Sequence, residues 1–296
     1  MFILPILFVL PLLLFWPDDA FAWGPATHLQ LGWHVLSNPA MLIAPVRLLL
    51  EAFPYDYLYG CISADIVVGK RFTRELHHCH NWHVGFKVLD RANSPSQKAF
   101  AYGYLSHLAA DTIAHNYYVP EKMVTSYSTR FLRHIYWEMR FDALADNIVW
   151  DLPRKIMKDV HEDNDPLLES VIEHTLLSFS TNKTIFNNFV LIHRMEQWHK
   201  MINRLSSYSK WVLHKEDVDI YHQHSLNAIL DLLHQQNMAM CIKEDPTGRK
   251  NLALAKRLRK KLKFMKRNGI GTTIIPPVFP FKEVSHLSTE IRKNRA

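Results

Sequence analysis

Residues 104–116 read Tyr-Leu-Ser-His107-Leu-Ala-Ala-Asp111-Thr-Ile-Ala-His115-Asn. His107, Asp111 and His115 stand at i, i+4 and i+8, which places them on one face of a helix about a turn apart. His134 and Glu138 repeat the i, i+4 spacing on the next helix, which Pro120-Glu121 can start and which is expected to run to Trp150 before Pro153. Imidazoles and carboxylates so spaced converge on a divalent metal, and Zn²⁺ suits an N/O donor set. One such pair would be an ordinary polar stripe. Five groups on two otherwise apolar helices are harder to place in a core, because each buried polar group needs its own partner.

Outward from this stretch the chain reads as all-α. Pro25 suits the first turn of a helix with Leu29, Trp33, Val35 and Leu36 on its apolar face, and His28 sits just inside it. A second helix is expected over 41–53. Asp65 follows inside the apolar segment 57–68, where a carboxylate requires a cation or hydrogen-bond donors. His77, His78, His80 and His83 then cluster, and only one of them need be a ligand. Ser94-Pro-Ser-Gln can start the helix that carries His107. Residues 155–180, 182–206 and 216–242 read as further amphipathic helices. The histidines from His161 onward have no carboxylate at ligand spacing and read as ordinary surface or core residues.

Composition narrows the function classes. The chain has 296 residues, 48% hydrophobic and 21% charged, enough to bury a sizeable core. Nine glycines and no Gly-rich phosphate loop take support from nucleotide-cofactor folds. Residues 2–16 are an apolar run, short for a membrane span and broken by Pro5 and Pro11, that leads to Ala20-Phe21-Ala22, an A-x-A cleavage site. Residues 1–22 are therefore expected to be a signal peptide and the protein exported, periplasmic or secreted, with its mature chain starting at Trp23. The missing Lys or Arg before the run leaves an uncleaved anchor as the other reading. Three cysteines do not make a disulfide framework; Cys61 and Cys79 are either one bridge or two buried thiols.

The net charge of +7 is uneven. Residues 248–296 hold 14 Lys/Arg against 2 Asp/Glu, so the basic character belongs to a tail. Within it, residues 249–267 pair ten Lys/Arg with a stripe of Leu254, Leu258, Leu262 and Met265. This is either a basic amphipathic helix lying on an anionic membrane surface or a terminal helix packed on the domain with a solvated basic face. The organisation expected is a signal peptide over 1–22, a catalytic core over 23–150, further helices over 151–247, and the basic amphipathic tail over 248–296.

With these pieces in place, the sequence resembles the zinc-dependent phospholipase C/D superfamily, related to the S1/P1-type nucleases. The resemblance rests on an ordered set: Trp23 after a cleavage site, His28 five residues on, Gly60-Cys-Ile-Ser-Ala-Asp65-Ile66, His80, His107-x-x-x-Asp111, and His134-x-x-x-Glu138. It covers roughly residues 23–140. It implies up to three Zn²⁺ per chain: one held by Asp65, His80, His107 and Asp111, a second by His28 and the freed amine and carbonyl of Trp23 with Asp111 bridging, and a third by His115, His134 and Glu138. It further implies a hydroxide attacking phosphorus, with Asp65 as the catalytic residue that orients or deprotonates it. His115 comes four residues after Asp111, where the better-known phospholipases C and the nucleases place a histidine at six and this chain has Tyr117. That spacing is similar to the branch containing phospholipases D. Carboxylates behind a metal site orient its imidazoles, so Asp142, one turn past Glu138, is a candidate for that role or else part of a solvated face.

Three functions follow as expectations. The first is a secreted zinc-dependent phosphodiesterase hydrolysing phospholipids, C-type or D-type. The second is a single-strand nuclease with 3′-nucleotidase activity, for which nucleic acid replaces phospholipid as substrate. The third is a non-catalytic zinc-binding surface protein.

Overall fold

The computed structural model describes residues 23–67, 79–128, 135–153 and 211–270, together with most of 156–207. The expected signal peptide, His77, His78, His134 and the tail beyond residue 270 lie outside the described residues. The described residues form helices joined by turns, with no strand among them, and none of those helices is long and apolar enough to cross a membrane.

The centre of the fold is α5 (Pro95–Ile113). Its start is set locally: Ser94 Oγ accepts from Gln97 N at 3.2 Å, Gln97 Oε1 accepts from Asn93 N at 2.9 Å, and Pro95 occupies the first turn. From Ala99 to Thr112 almost every residue is buried, as a helix packed on all sides requires. Along it lies α3 (Pro54–Ser63), crossing where Gly60 meets Gly103. A Cβ on Gly60 would stand 2.0 Å from the Phe100 carbonyl oxygen, and one on Gly103 would stand 2.0 Å from that of Tyr57. Only glycine permits this approach, and it brings the end of α3, with Asp65, beside the turn of α5 that carries His107.

Around this pair pack α1 (Pro25–Ser37), α4 (Trp82–Arg91), α8 (His161–Val171) and α10 (Lys215–Gln235). Residues 161–171 and 215–235 thus reach the same central helix as the first half of the chain. α2 (Ala44–Ala52) packs on α3 and α5, and α9 (Phe179–His193) contributes Phe186 and Val190 to the core.

Several expected helices are shorter than their patterns. The single helix expected from Pro120 to Trp150 is instead α6 (Val119–Thr125), then α7 (Ile135–Asp142) and a 3₁₀ turn over Asn147–Asp151. Ser126 Oγ folds back onto the Lys122 carbonyl and receives the Trp137 indole N–H at 3.1 Å, which closes α6 and joins it to α7. Of the helix expected over 155–180, the described residues show α8 at His161–Val171, and Ser178 caps the next helix by accepting from Thr181 N. The one expected over 216–242 stops at Gln235, where Gln236 takes φ 47° and Asp231 Oδ2 accepts from Met240 N at 2.7 Å.

Candidate metal centre

α1, the turn after α3, the residues before α4, and α5 deliver five groups to one buried volume. His28 comes from α1, Asp65 from the turn after α3, His80 from the residues before α4, and His107 and Asp111 from α5. All five are buried, and their donor atoms form two triads, each within 4.8 Å: His28, His107 and Asp111, and Asp65, His80 and His107. The two oxygens of Asp111 divide between them. Oδ1 lies 3.2 Å from His28 Nε2, and Oδ2 lies 3.1 Å from His80 Nε2 and 3.2 Å from His107 Nε2. Asp65 Oδ1 lies 3.3 Å from His80 Nε2 and 4.0 Å from His107 Nε2. The rings of His28 and His107 stack at 3.8 Å.

The back of each ring explains its orientation. His107 Nδ1 lies 2.8 Å from the Cys61 carbonyl oxygen, which can only accept, so Nδ1 carries a proton and in the neutral ring Nε2 turns its lone pair into the cluster. That lone pair faces an Asp111 oxygen at 3.2 Å and His80 Nε2 at 3.0 Å. His28 Nε2 and both oxygens of Asp111, all buried, make no hydrogen bond of acceptable geometry despite these short separations. Acceptors crowded against acceptors away from water repel unless a cation lies between them. This donor set of imidazole nitrogen and carboxylate oxygen suits zinc.

The electrostatics follow from the crowding. Burial works to raise the Asp111 carboxyl, but attraction to His107 together with the contacts from His107, His28 and His80 outweighs it and holds the group well below the usual carboxylate range. Burial, reinforced by repulsion from His107, pushes His28 below its ordinary value, so its imidazole stays neutral and able to ligate.

Trp23 is fully buried one layer away. Its indole N–H donates to the Ala110 carbonyl at 3.2 Å, and its ring packs on Tyr118 and Phe141. Asp142 holds the segment between Trp23 and His28: its Oδ1 accepts from Thr27 N at 2.7 Å and from Thr27 Oγ at 2.9 Å. A Cβ on Gly24 would overlap that carboxylate at 2.4 Å. Asp142 is therefore not on a solvated face. It acts on the first helix, capping its N-terminus and so fixing where His28 enters the cluster.

His115 belongs to neither triad. It sits in a π-helical turn (Ala114–Tyr118) that interrupts the chain after α5, of the kind that re-aims side chains at functional sites. It is buried, with Nδ1 donating to the Pro246 carbonyl at 2.6 Å, the same backbone support that His107 receives. Glu138 is also buried, on α7. Nearby, His83 is exposed, Trp137 is core packing, and Tyr136 lies with Trp137 against the Arg140 guanidinium. Cys61, Cys79 and Cys241 are buried free thiols, and Cys79 Sγ lies 3.3 Å from His80 Nδ1.

Sequence reasoning missed the partners behind these rings: the Cys61 and Pro246 carbonyls and the Cys79 thiol. Backbone acceptors leave no trace in residue identity. Residues 27–209, more than half of the chain, match the family model described as zinc dependent phospholipase C. No curated protein and no solved structure matches the chain.

Proposed function

The chain belongs to the zinc-dependent phospholipase C family, and from that premise we propose that it is an exported phosphoric diester hydrolase that cleaves phospholipids between phosphorus and the glycerol oxygen. One observation carries the reading. Three imidazoles and two carboxylates converge in a buried site, where His28 Nε2 lies 3.2 Å from Asp111 Oδ1 and neither atom makes a hydrogen bond, an arrangement that suits a cation.

Asp65, His80, His107 and Asp111 would hold one ion. His28 and the Trp23 main chain would hold a second with Asp111 shared, and His115, His134 and Glu138 would hold a third. Zinc supplies an acidified water and neutralises charge on the phosphoryl oxygens. The protein supplies the geometry. The Cys61 carbonyl keeps the His107 lone pair turned inward, and Asp142 sets the depth of His28. Asp65 Oδ1 sits at the edge of the cluster, where it can orient the attacking water and accept its proton. Burial of the whole set excludes bulk water and strengthens each of these interactions.

Cleavage after Ala22 would make the buried Trp23 the N-terminus beside α5, which accords with export and with a main-chain ligand there. The test takes exported protein purified without chelator, with its intact mass and zinc content measured first. It is then assayed on phosphatidylcholine and on single-stranded DNA. Zinc-dependent release of phosphocholine and diacylglycerol is expected. Release of choline and phosphatidic acid would move the cleaved bond to the other side of phosphorus, and turnover of DNA alone would replace the phospholipid reading with a nuclease.

A further inference from the structure

The C-terminal helix α11 (Arg249–Arg267) carries ten Lys/Arg and no acidic residue. It packs through Leu252, Ala255 and Arg259, with Leu258 and Leu262 half-buried beside them. The packed face is thus rotated from the Leu254–Leu258–Leu262–Met265 stripe expected from sequence, and Leu254 remains 44% exposed. Arg259 is drawn inward because its Nε donates to the Tyr127 carbonyl at 3.2 Å. What is left outside is a second face at helical spacing. Lys250, Leu254, Arg257, Lys261 and Phe264 follow one another at steps of four and three, with Lys260 alongside, and all are exposed. Phe264, 64% exposed, lies among the cations rather than on the packed side. A solvated basic face explains the lysines and arginines. It does not explain an aromatic ring and a leucine set among them.

The helix is also anchored to the site. Gly248 takes φ 57° and lies so close to His115 that a Cβ would stand 2.3 Å from its carbonyl oxygen. The Pro246 carbonyl receives the His115 Nδ1 proton, and Asn251 Nδ2 donates to the Asn116 carbonyl at 2.9 Å. The turn leading into α11 is thus bonded to the π turn that carries His115, and whatever α11 rests on is held at that end of the centre.

We propose that the outward face of α11 docks the protein on an anionic bilayer, its cations over the lipid phosphates and Phe264 and Leu254 in the interface, and so presents the centre to phospholipid. Lys and Arg attract an anionic surface within a Debye length, and an aromatic ring is at home at head-group depth. The surface is argued from charge and spacing on α11 alone; its use in catalysis rests on the phospholipid reading above.

The test is cosedimentation of the full processed chain with phosphatidylcholine vesicles and with vesicles one-third phosphatidylglycerol. Wild type should bind only the anionic vesicles and release them at about 1 M salt. The double variant Lys260→Ala/Lys261→Ala should bind about thirtyfold more weakly, and Phe264→Ser should also lose binding, with unfolding temperatures unchanged because all three residues are exposed. Hydrolysis of a short-chain phosphatidylcholine below its micellar concentration should be the same in all three proteins, while hydrolysis of anionic vesicles falls in the variants. Equal binding of wild type to both vesicle types would overturn the proposal. So would undiminished binding by the variants, or retention on single-stranded DNA without vesicle binding. Anionic-vesicle binding that is lost in the variants, from a protein that hydrolyses no lipid, would uphold the surface and remove the phospholipase reading.

Discussion

Helix α1 carries two histidines into two different environments. His28 enters the cluster, 3.2 Å from Asp111 Oδ1 and stacked at 3.8 Å on His107. Two turns on, His34 faces His222 of α10 with ring centroids 5.4 Å apart. In both places an imidazole is pressed against another imidazole, and in both burial lowers a histidine's affinity for protons. The difference lies in the carboxylates. Asp111 and Asp65 meet the first set within hydrogen-bonding range, whereas Asp146 and Asp219 act on His222 too weakly to offset its burial. A half-buried imidazole beside an exposed one, as His222 lies beside His34, is therefore an ordinary feature of a helix pair. Histidines converging on an acceptor that is itself short of donors form a cation site.

The sharpest break of this comparison is Asp111→Asn. Its oxygens lie against His28 of one triad and His80 of the other, so the variant should bind zinc more than about a hundredfold more weakly and lose hydrolysis altogether. His34→Gln should leave zinc content and activity unchanged. Zinc titration by competition with a chromophoric chelator measures both. If Asp111→Asn kept its full zinc complement, the cluster would be a hydrogen-bonded core and the contrast with His34 would vanish.

Asp142→Ala tests whether the cluster depends on how α1 is seated. Removing the carboxylate leaves the Thr27 amide and hydroxyl without their acceptor in a buried position, which should lower stability by about 1–2 kcal/mol. Because His28 follows Thr27 directly, zinc affinity should fall about tenfold as well. Asp142→Asn, which keeps an acceptor oxygen, should recover most of the stability. A loss of stability with zinc affinity intact would make Asp142 a helix cap and nothing more.

Much of the site was readable because its chemistry is periodic. The four-residue step from His107 to Asp111 survives into the structure as a 3.2 Å contact. Gly60 and Asp65 were visible as a motif, though the reason for the glycine, a crossing with Gly103, is not. Less readable were features that depend on partners distant in sequence. The acceptor behind His107 is 46 residues away, that behind His115 is 131 away, and the cap at Thr27 is 115 away. The division of the expected helix 120–150 left no proline or glycine to mark it between Ser126 and Glu138. It is made by Ser126 turning back on its own helix and by the Trp137 indole, both products of tertiary packing. The rotation of α11 has the same origin: Arg259 is polar, and it faces inward where its Nε can donate to the distant Tyr127 carbonyl.

The smallest effect concerns His222, and it separates the two histidine environments by pH alone. Burial, then repulsion from His34, takes His222 from an ordinary value of 6.5 down to about 4. Between these values the unfolded chain binds a proton that the folded chain refuses. Its contribution to stability is therefore complete above pH 6.5 and is lost as pH falls towards 4. With allowance for solvent screening of a half-buried ring, the loss is on the order of 1–2 kcal/mol. His222→Gln should remove it, so the gap in unfolding free energy between wild type and variant should change by that amount from pH 7 to pH 4.5. The groups of the metal cluster titrate in both proteins and cancel in the difference, with zinc or without it. Parallel pH profiles would mean that His222 takes up its proton in the folded state as readily as in water. The His34–His222 contact would then exert no electrostatic pressure, and the resemblance between the two ends of α1 would stop at geometry.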